Sequence, residues 1–188
     1  MKIFLLRSIL VVILISLVGC QQNKSITENL NTKIEMEGFE EPKSSEWVKY
    51  ITPVIEYMYY RTQAVVNSDI NILWDKYRNL KDNVDSEQGV NIEKNEVESL
   101  NRNFDLLDAN FNIESYERIK VKIINENEVV VLVHGSIIYL KNDFDESGGE
   151  YLIKIFLEFK NNQWTVVKTD EYTLPEYKEW VSLKRGME

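Results

Sequence analysis

Cysteine and histidine are nearly missing from this chain, with one of each in 188 residues. A lone cysteine excludes an intrachain disulfide framework, and one cysteine with one histidine excludes a Cys/His zinc site. Basic residues are also short, 22 Lys+Arg against 31 Asp+Glu, for a formal charge of −9. The first 19 residues hold two of the basic residues and no acidic one, so the rest of the chain carries a formal −11. A chain this acidic lacks the clustered Lys/Arg that nonspecific nucleic-acid or anionic-lipid binding requires. A membrane-spanning helix needs roughly 20 apolar residues, and the uninterrupted run from Ser8 to Val18 is about half that.

What is there begins with Lys2 and Arg7 around the start of that run, a signal-peptide pattern. Leu17-Val18-Gly19-Cys20 resembles a bacterial lipobox, in which a small residue precedes the cysteine that becomes the lipidated N-terminus. The resemblance implies cleavage before Cys20, loss of residues 1–19, and a diacylglyceryl thioether on Cys20. The alternative is a plain secretory signal in which Cys20 is incidental. A capped thiol suits a chain exported to an oxidising compartment, where a spare cysteine would mispair. Two long acyl chains, at about 0.8 kcal/mol per buried CH₂, hold such a protein on the extracytoplasmic face of the cell membrane without help from charge. Gln21 to Ser45, rich in Asn, Gln, Glu, Lys and Thr, reads as a flexible tether whose Ile34, Met36 and Phe39 are able to dock locally. The expected divisions are therefore 1–19, a lipoprotein signal peptide; 20–45, lipidated Cys20 and tether; and 46–188, the folded domain.

From Glu46 to Asn67, Trp47, Ile51, Val54, Met58 and Val65 follow three- and four-residue spacings, one face of a helix. Pro53 either kinks this helix or takes its first position behind a Thr52 cap. A second helix starts at Ser68 or Asp69 with Leu73, Trp74, Tyr77 and Leu80 on one side. After a polar loop from Lys81 to Gly89, a third is expected from Asn91 to Asp108 on the stripe Val97, Leu100, Phe104 and Leu107.

Beyond Asn110 the period falls to 2. Ile119, Val121 and Ile123 lead through Asn125-Glu126-Asn127 into the apolar run Val129 to Leu140, a hairpin. A third strand carries Tyr151, Ile153, Ile155, Leu157 and Phe159 on one face, and a fourth runs from Trp164 to Glu171 after the Asn161-Asn162 turn. Thr173-Leu174-Pro175-Glu176 has capping-box spacing before a short C-terminal helix with Tyr177, Trp180 and Val181. The expected fold class is α+β, with three N-terminal helices packed on a curved four-stranded antiparallel sheet and a short C-terminal helix.

This element order across residues 46–171, with the closing strand Gln163-Trp164-Thr165-Val166-Val167, resembles the nuclear transport factor 2-like, or ketosteroid-isomerase-like, cone. A cystatin-like or other α+β sandwich has much the same element string. Enzymes in the resembled family place carboxylates or a histidine inside the cone; ketosteroid isomerase uses an Asp base with a Tyr and a protonated Asp. Here the third strand has no acid on its odd-numbered apolar face, and Glu158 falls with Lys154 on the other. No catalytic residue and no cofactor is therefore assigned.

His134, the sole histidine, shares a side with Leu132 and Ser136 and reads as a sheet histidine bonded to a neighbour, with a pocket-lining or pH-responsive role as the alternative. Tyr50, Tyr57 and Tyr60 form a second stripe on the first helix, suited to core packing or to contact with a ligand or partner. Asp143, Asp145, Ser147 and Gly148 echo the opening of a calcium loop, but Lys154 stands where a bidentate Glu should be, so a solvated hairpin loop and no metal are expected. The run Val129 to Leu140 is apolar at both parities, so something covers its second face: the segment around Tyr177 and Trp180, or a second copy in a homodimer through the sheet.

The expected function is a membrane-anchored, non-enzymatic binding or accessory module of the cell envelope. Its partners are the membrane, through the lipid on Cys20, and an unknown envelope protein or small ligand, with no nucleic acid. The alternative is a cone-pocket enzyme or small-ligand carrier. A polar, open cavity favours ligand binding or catalysis; a filled interior favours protein contacts.

Overall fold

The computed structural model describes residues 38–85, 89–100, 105–113 and 119–171. The chain divides into Met1–Gly38 and Phe39–Glu188, and the elements below belong to the second unit. Cys20, the leader and most of the expected tether lie outside the described residues, as do Tyr177, Trp180 and the expected C-terminal helix. Among the described residues no helix is long and apolar enough to cross a membrane.

Helix α1 spans Trp47–Val66 and contains Pro53. Thr52 donates its hydroxyl to the Val48 carbonyl at 2.7 Å, so it sits inside the helix and is not a cap. Ile51, Val54, Met58 and Val65 are buried, as their spacing requires. Helix α2, Asn71–Lys76, is followed by a 3₁₀ segment, Arg78–Asp82. The expected second helix is thus two short pieces, because Tyr77 leaves the helical region at φ −124° and ψ 76°. Asp69 Oδ1 still accepts from the Asn71 N–H at 3.0 Å at its start.

Helix α3 spans Ile92–Leu100 among the described residues, and the expected helix does not extend to Asp108. Leu106–Asn112 is instead strand β1, and among the described residues the sheet has five strands rather than four. The remaining strands are β2 (Ile119–Asn125), β3 (Glu128–Lys141), β4 (Glu146–Lys160) and β5 (Gln163–Glu171). The physical reason for the extra strand is the length of β3. β2 pairs with β3 only from Glu128 to Val133, which leaves Ser136 to Lys141 on the same edge with unpaired backbone groups, and β1 satisfies them antiparallel. Leu107, counted above in a buried helical stripe, is 52% exposed. β4 pairs with the whole opposite edge of β3, and β5 with β4.

The odd-numbered residues Val129, Val131 and Val133 of β3 and Ile153, Ile155 and Leu157 of β4 join the helical residues in one core. Each such side chain, fully buried, contributes about 1.5–3 kcal/mol. α1 packs on β1, β5, α2 and α3. On the even-numbered face Leu132, His134 and Leu152 are also buried, within a single chain. Both parities of β3 therefore lie away from water from Val129 to Gly135, whereas Ile138 farther along is exposed. The folded unit begins before Glu46: Glu40 exchanges backbone hydrogen bonds with Val121 at 2.9 and 2.7 Å, and Lys120 Nζ pairs with Glu41 at 2.6 Å.

One irregularity decides what faces inward at the end of the sheet. Between Leu157↔Val166 and Phe156↔Lys168 the register shifts, with one more residue on β5 than on β4. Such a bulge reverses the parity of the strand beyond it. Thr169 lies opposite Ile155 and Glu171 opposite Ile153, on the helix-facing side.

Candidate functional site

Under α1 and α3 the core turns polar. Arg61 follows Met58 by three residues and precedes Val65 by four, so it belongs to the buried stripe of α1, and it is 5% exposed. Its Nε donates to Glu96 Oε2 at 2.6 Å, and a terminal nitrogen of the guanidinium donates to Glu171 Oε1. Tyr139, on the inner face of β3, donates its hydroxyl to Glu96 Oε1 at 2.9 Å. Glu93 and Glu96 stand three apart on α3 and so share a side of it.

Glu93 is buried. Its carboxylate accepts from Tyr57 Oη at 3.3 Å, from Asn83 Nδ2 at 3.2 and 3.3 Å, and from the Thr169 hydroxyl. Asn83 Nδ2 also donates to Thr169 Oγ1 at 2.8 Å. α1, α3, the end of the 3₁₀ segment, β3 and β5 are thereby tied together through one polar cluster that holds three carboxylates and one guanidinium.

Burial by itself would pull the Arg61 pKa down, but Glu171 and Glu96 outweigh it and hold the group well above its ordinary value, so the guanidinium stays charged. Burial raises Tyr57 and Tyr139 well above the usual phenol range, against the opposing pull of Arg61, and both remain hydrogen-bond donors. Glu171 is raised from the usual carboxylate value, first by loss of water; Arg61 opposes the rise, and Glu96 and Glu93 add to it. Its folded carboxyl holds a proton more tightly than the unfolded one. The stability this contributes is present below the unfolded pKa and is lost as pH rises through the folded value.

The cluster opens on a cavity of about 400 Å³, whose lining includes Glu96, Tyr139, Glu171, Asp85, Ile92 and Ser147. That volume falls within the roughly 300–1,000 Å³ of small-molecule sites. Glu171 keeps 34% of its side chain exposed there, whereas Arg61 behind it keeps 6%. Among the described residues no group of three or more His, Cys, Asp or Glu is arranged to hold a metal ion. The inner oxygens of Glu96 and Glu171 face the guanidinium instead.

Gly148 also lines the cavity. Its φ is +155°, and a Cβ there would run into the carbonyl oxygen of Ile137 on the neighbouring strand. We expect Gly148→Ala to force β3 and β4 apart and to lower stability by about 1–3 kcal/mol in a urea titration. An unchanged midpoint would show that the strands separate there without cost.

Tyr50 and Tyr57 are inside the protein. Tyr50 packs edge-on to Trp164 with ring centroids 6.0 Å apart, and Tyr57 lies edge-on to Tyr77 with its hydroxyl in the polar cluster. Tyr60 is half-buried between Tyr59 and Tyr77. Their stripe is therefore not an outer surface, and only Tyr57 reaches the site. His134 is fully buried on the sheet's other face, with Nε2 4.0 Å from Glu150 Oε1, and does not meet the carboxylates. The segment Asn142–Asp145 is a hairpin turn in which Asp143 Oδ1 accepts from the Asp145 N–H at 3.1 Å.

Arg61, Glu93, Glu96, Tyr139 and Glu171 were not among the expected site residues. Two of them carried a signal: Arg61 fills the gap between Met58 and Val65 in the apolar stripe of α1, and Glu93 stands four residues before Val97 on the stripe of α3. A charged residue on a buried stripe calls for a partner.

No family model and no curated protein sequence matches the chain. Among solved structures it is similar to a nuclear transport factor 2-like superfamily protein from Salmonella enterica serovar Typhimurium LT2, at 9% identity over 69% of this chain and 92% of that one, TM-score 0.40. It is similar also to an NTF-2-like protein of unknown function from Shewanella oneidensis MR-1, at 9% identity over 64% and 97%, TM-score 0.39. A third is a protein of unknown function with a cystatin-like fold from Nostoc punctiforme PCC 73102, at 8% identity over 64% and 88%, TM-score 0.40.

Proposed function

We propose that this chain is an extracytoplasmic lipoprotein, anchored through Cys20, whose nuclear transport factor 2-like cone binds a small molecule in the cavity beside Arg61, Glu96 and Glu171. The single observation that carries the binding reading is that cavity, lined by polar and apolar side chains together, with a partly exposed carboxyl in its wall and a paired guanidinium behind it. The anchor rests on the leader and on Leu17-Val18-Gly19-Cys20. The cone rests on the order of helices before an antiparallel sheet. Protein partners and pairing of two copies through the sheet are secondary to this reading, since Leu132, His134 and Leu152 are already buried in one chain.

Two experiments test it. Cys20→Ser moves the protein from the membrane fraction to the soluble exported fraction, and a variant that still fractionates with membranes overturns the anchor. Protein isolated from its native membranes and then denatured releases a small molecule seen by mass spectrometry, whereas Ser99→Trp, at the cavity wall, releases none. Equal release from both overturns the binding site. A catalytic use of the same cavity has one observation in its favour: Glu171 presents a partly exposed carboxyl there, and loss of water raises it above the ordinary carboxylate value. Recovery of a chemically altered compound after incubation with the extracted molecule favours that second reading.

A further inference from the structure

We propose that residues 172–188 form a strap across the sheet face opposite the helices and close it over His134 within one chain. Leu132, His134 and Leu152 are fully buried on that face and make one patch, with His134 directly across from Leu152 and Leu132 two residues along β3. Side chains on a sheet stand roughly perpendicular to it, so lateral neighbours do not close the top of a leucine or an imidazole to water. A covering layer does. Among the described residues the helices are not that layer, since they share one core with the odd-numbered residues of β3 and β4, and Leu132 and Leu152 stand outside it.

The cover is local and sits where the described part of β5 ends. Ile138 along β3 is exposed, as are Glu150 and Lys168 around the patch. Asp170 lies opposite Lys154 on the outer face, its carboxylate 3.4 Å from Lys154 Nζ, and Glu171 lies opposite Ile153 on the inner one. The next register position along β5 falls beside Leu152 on the outer face, one strand spacing of about 5 Å from it and two from His134. Residues 172–188 belong to the same compact unit as the sheet, and residues 21–37 to the other. Leu174, Tyr177, Trp180 and Val181 follow the three- and four-residue spacings of one helical face, with Glu179 and Ser182 outside that stripe. Residues 114–118, which precede the Ile119 that pairs with Val133, hold a single large apolar residue, Tyr116.

The test is the reactivity of His134, the sole histidine, toward diethyl pyrocarbonate, followed by mass spectrometry of its peptide in the full mature protein in detergent. In the native protein His134 is protected. Tyr177→Ser/Trp180→Ser, which strips the strap of two aromatics, speeds the modification at least about tenfold, as a local opening well short of global unfolding does. Trp180→Ala alone gives an intermediate rate and covers the case in which the double variant folds poorly. Val54→Ala, which opens a hole in the helix-facing core, is the control for general loss of stability and leaves His134 protected. Modification of the native protein as fast as that of the denatured chain overturns the cover itself. Unchanged protection in both strap variants overturns the strap, and so does an equal loss of protection in Val54→Ala. Protection of the native protein that falls on dilution assigns the cover to a second copy and overturns the strap as well.

Discussion

Arg61→Leu is expected to destabilise the protein by about 3–5 kcal/mol at neutral pH, the usual cost of removing one partner from a buried ion pair. The guanidinium is nearly inaccessible, and its loss leaves Glu96 and Glu171 without a counter-charge beside buried Glu93. The size of the effect reflects the stranded carboxylates more than the net strength of the bonds in the native protein. Its pH dependence separates this cause from simple loss of packing. Arg61 opposes the rise of the Glu171 pKa, so without it the folded Glu171 carboxyl holds its proton still more tightly, and its ionised form destabilises the variant. The gap between native and variant proteins, measured by urea titration, is therefore widest near neutrality and narrows as pH falls through the raised pKa of Glu171. Arg61→Lys keeps the charge but cannot direct separate nitrogens at Glu96 and Glu171, and falls between the two. A gap that does not change with pH would rule out stranded charge as the cause.

The second large effect is expected at Glu93. Its carboxylate is the common acceptor for Tyr57, Asn83 and Thr169, three donors from α1, the end of the 3₁₀ segment and β5. Each buried donor left without an acceptor costs about 1–3 kcal/mol, so Glu93→Ala should lose roughly 3–5 kcal/mol once partial relaxation is allowed for. Glu93→Gln retains one carbonyl oxygen but turns an amide donor toward other donors, for a loss of about 1–2 kcal/mol. Thermal unfolding of the three proteins, followed by far-UV circular dichroism, should place Ala lowest and Gln between. If Gln and Ala were equally destabilised, the carboxylate's charge rather than its count of acceptor atoms would be what holds the elements together.

How much of this was legible in the sequence depends on whether a residue's surroundings are local. The stripe Ile51, Val54, Met58 and Val65 of α1 needs only the helical period, and all four are buried. The hairpin through Asn125 to Asn127 and the odd-numbered face of β4 needed only the period of 2, and Ile153, Ile155 and Leu157 are in the core. The burial of β3 on both faces was readable for Val129 to Gly135, because a strand apolar at both parities is disfavoured in water, but not for Ile138, which is exposed. The segment Leu106 to Asn112 was not legible as a strand. Its spacing fits a helix continued from α3, and what makes it a strand is the unpaired edge of β3 some thirty residues on.

The site escaped for a related reason. Counting from Trp164 and Val166 by twos puts Lys168 and Asp170 on the inner face of β5. The bulge beside Val166 reverses that parity and turns Thr169 and Glu171 inward. Nothing about Glu171 by itself distinguishes it from the other acids of this chain until the bulge aims it at Arg61, 110 residues earlier.

By itself the sequence determined the lipobox pattern ending in Cys20 as an expectation, the α+β class, and the inward faces of α1, β3 and β4, because each depends on periodicity or on a contiguous motif. The tertiary structure decided the fifth strand, the parity of β5 beyond Val166 and the meeting of Arg61 with Glu96 and Glu171. Those depend on which backbone edges and which charges are left unsatisfied once the other elements have packed, and that residue is defined only when the whole chain has folded.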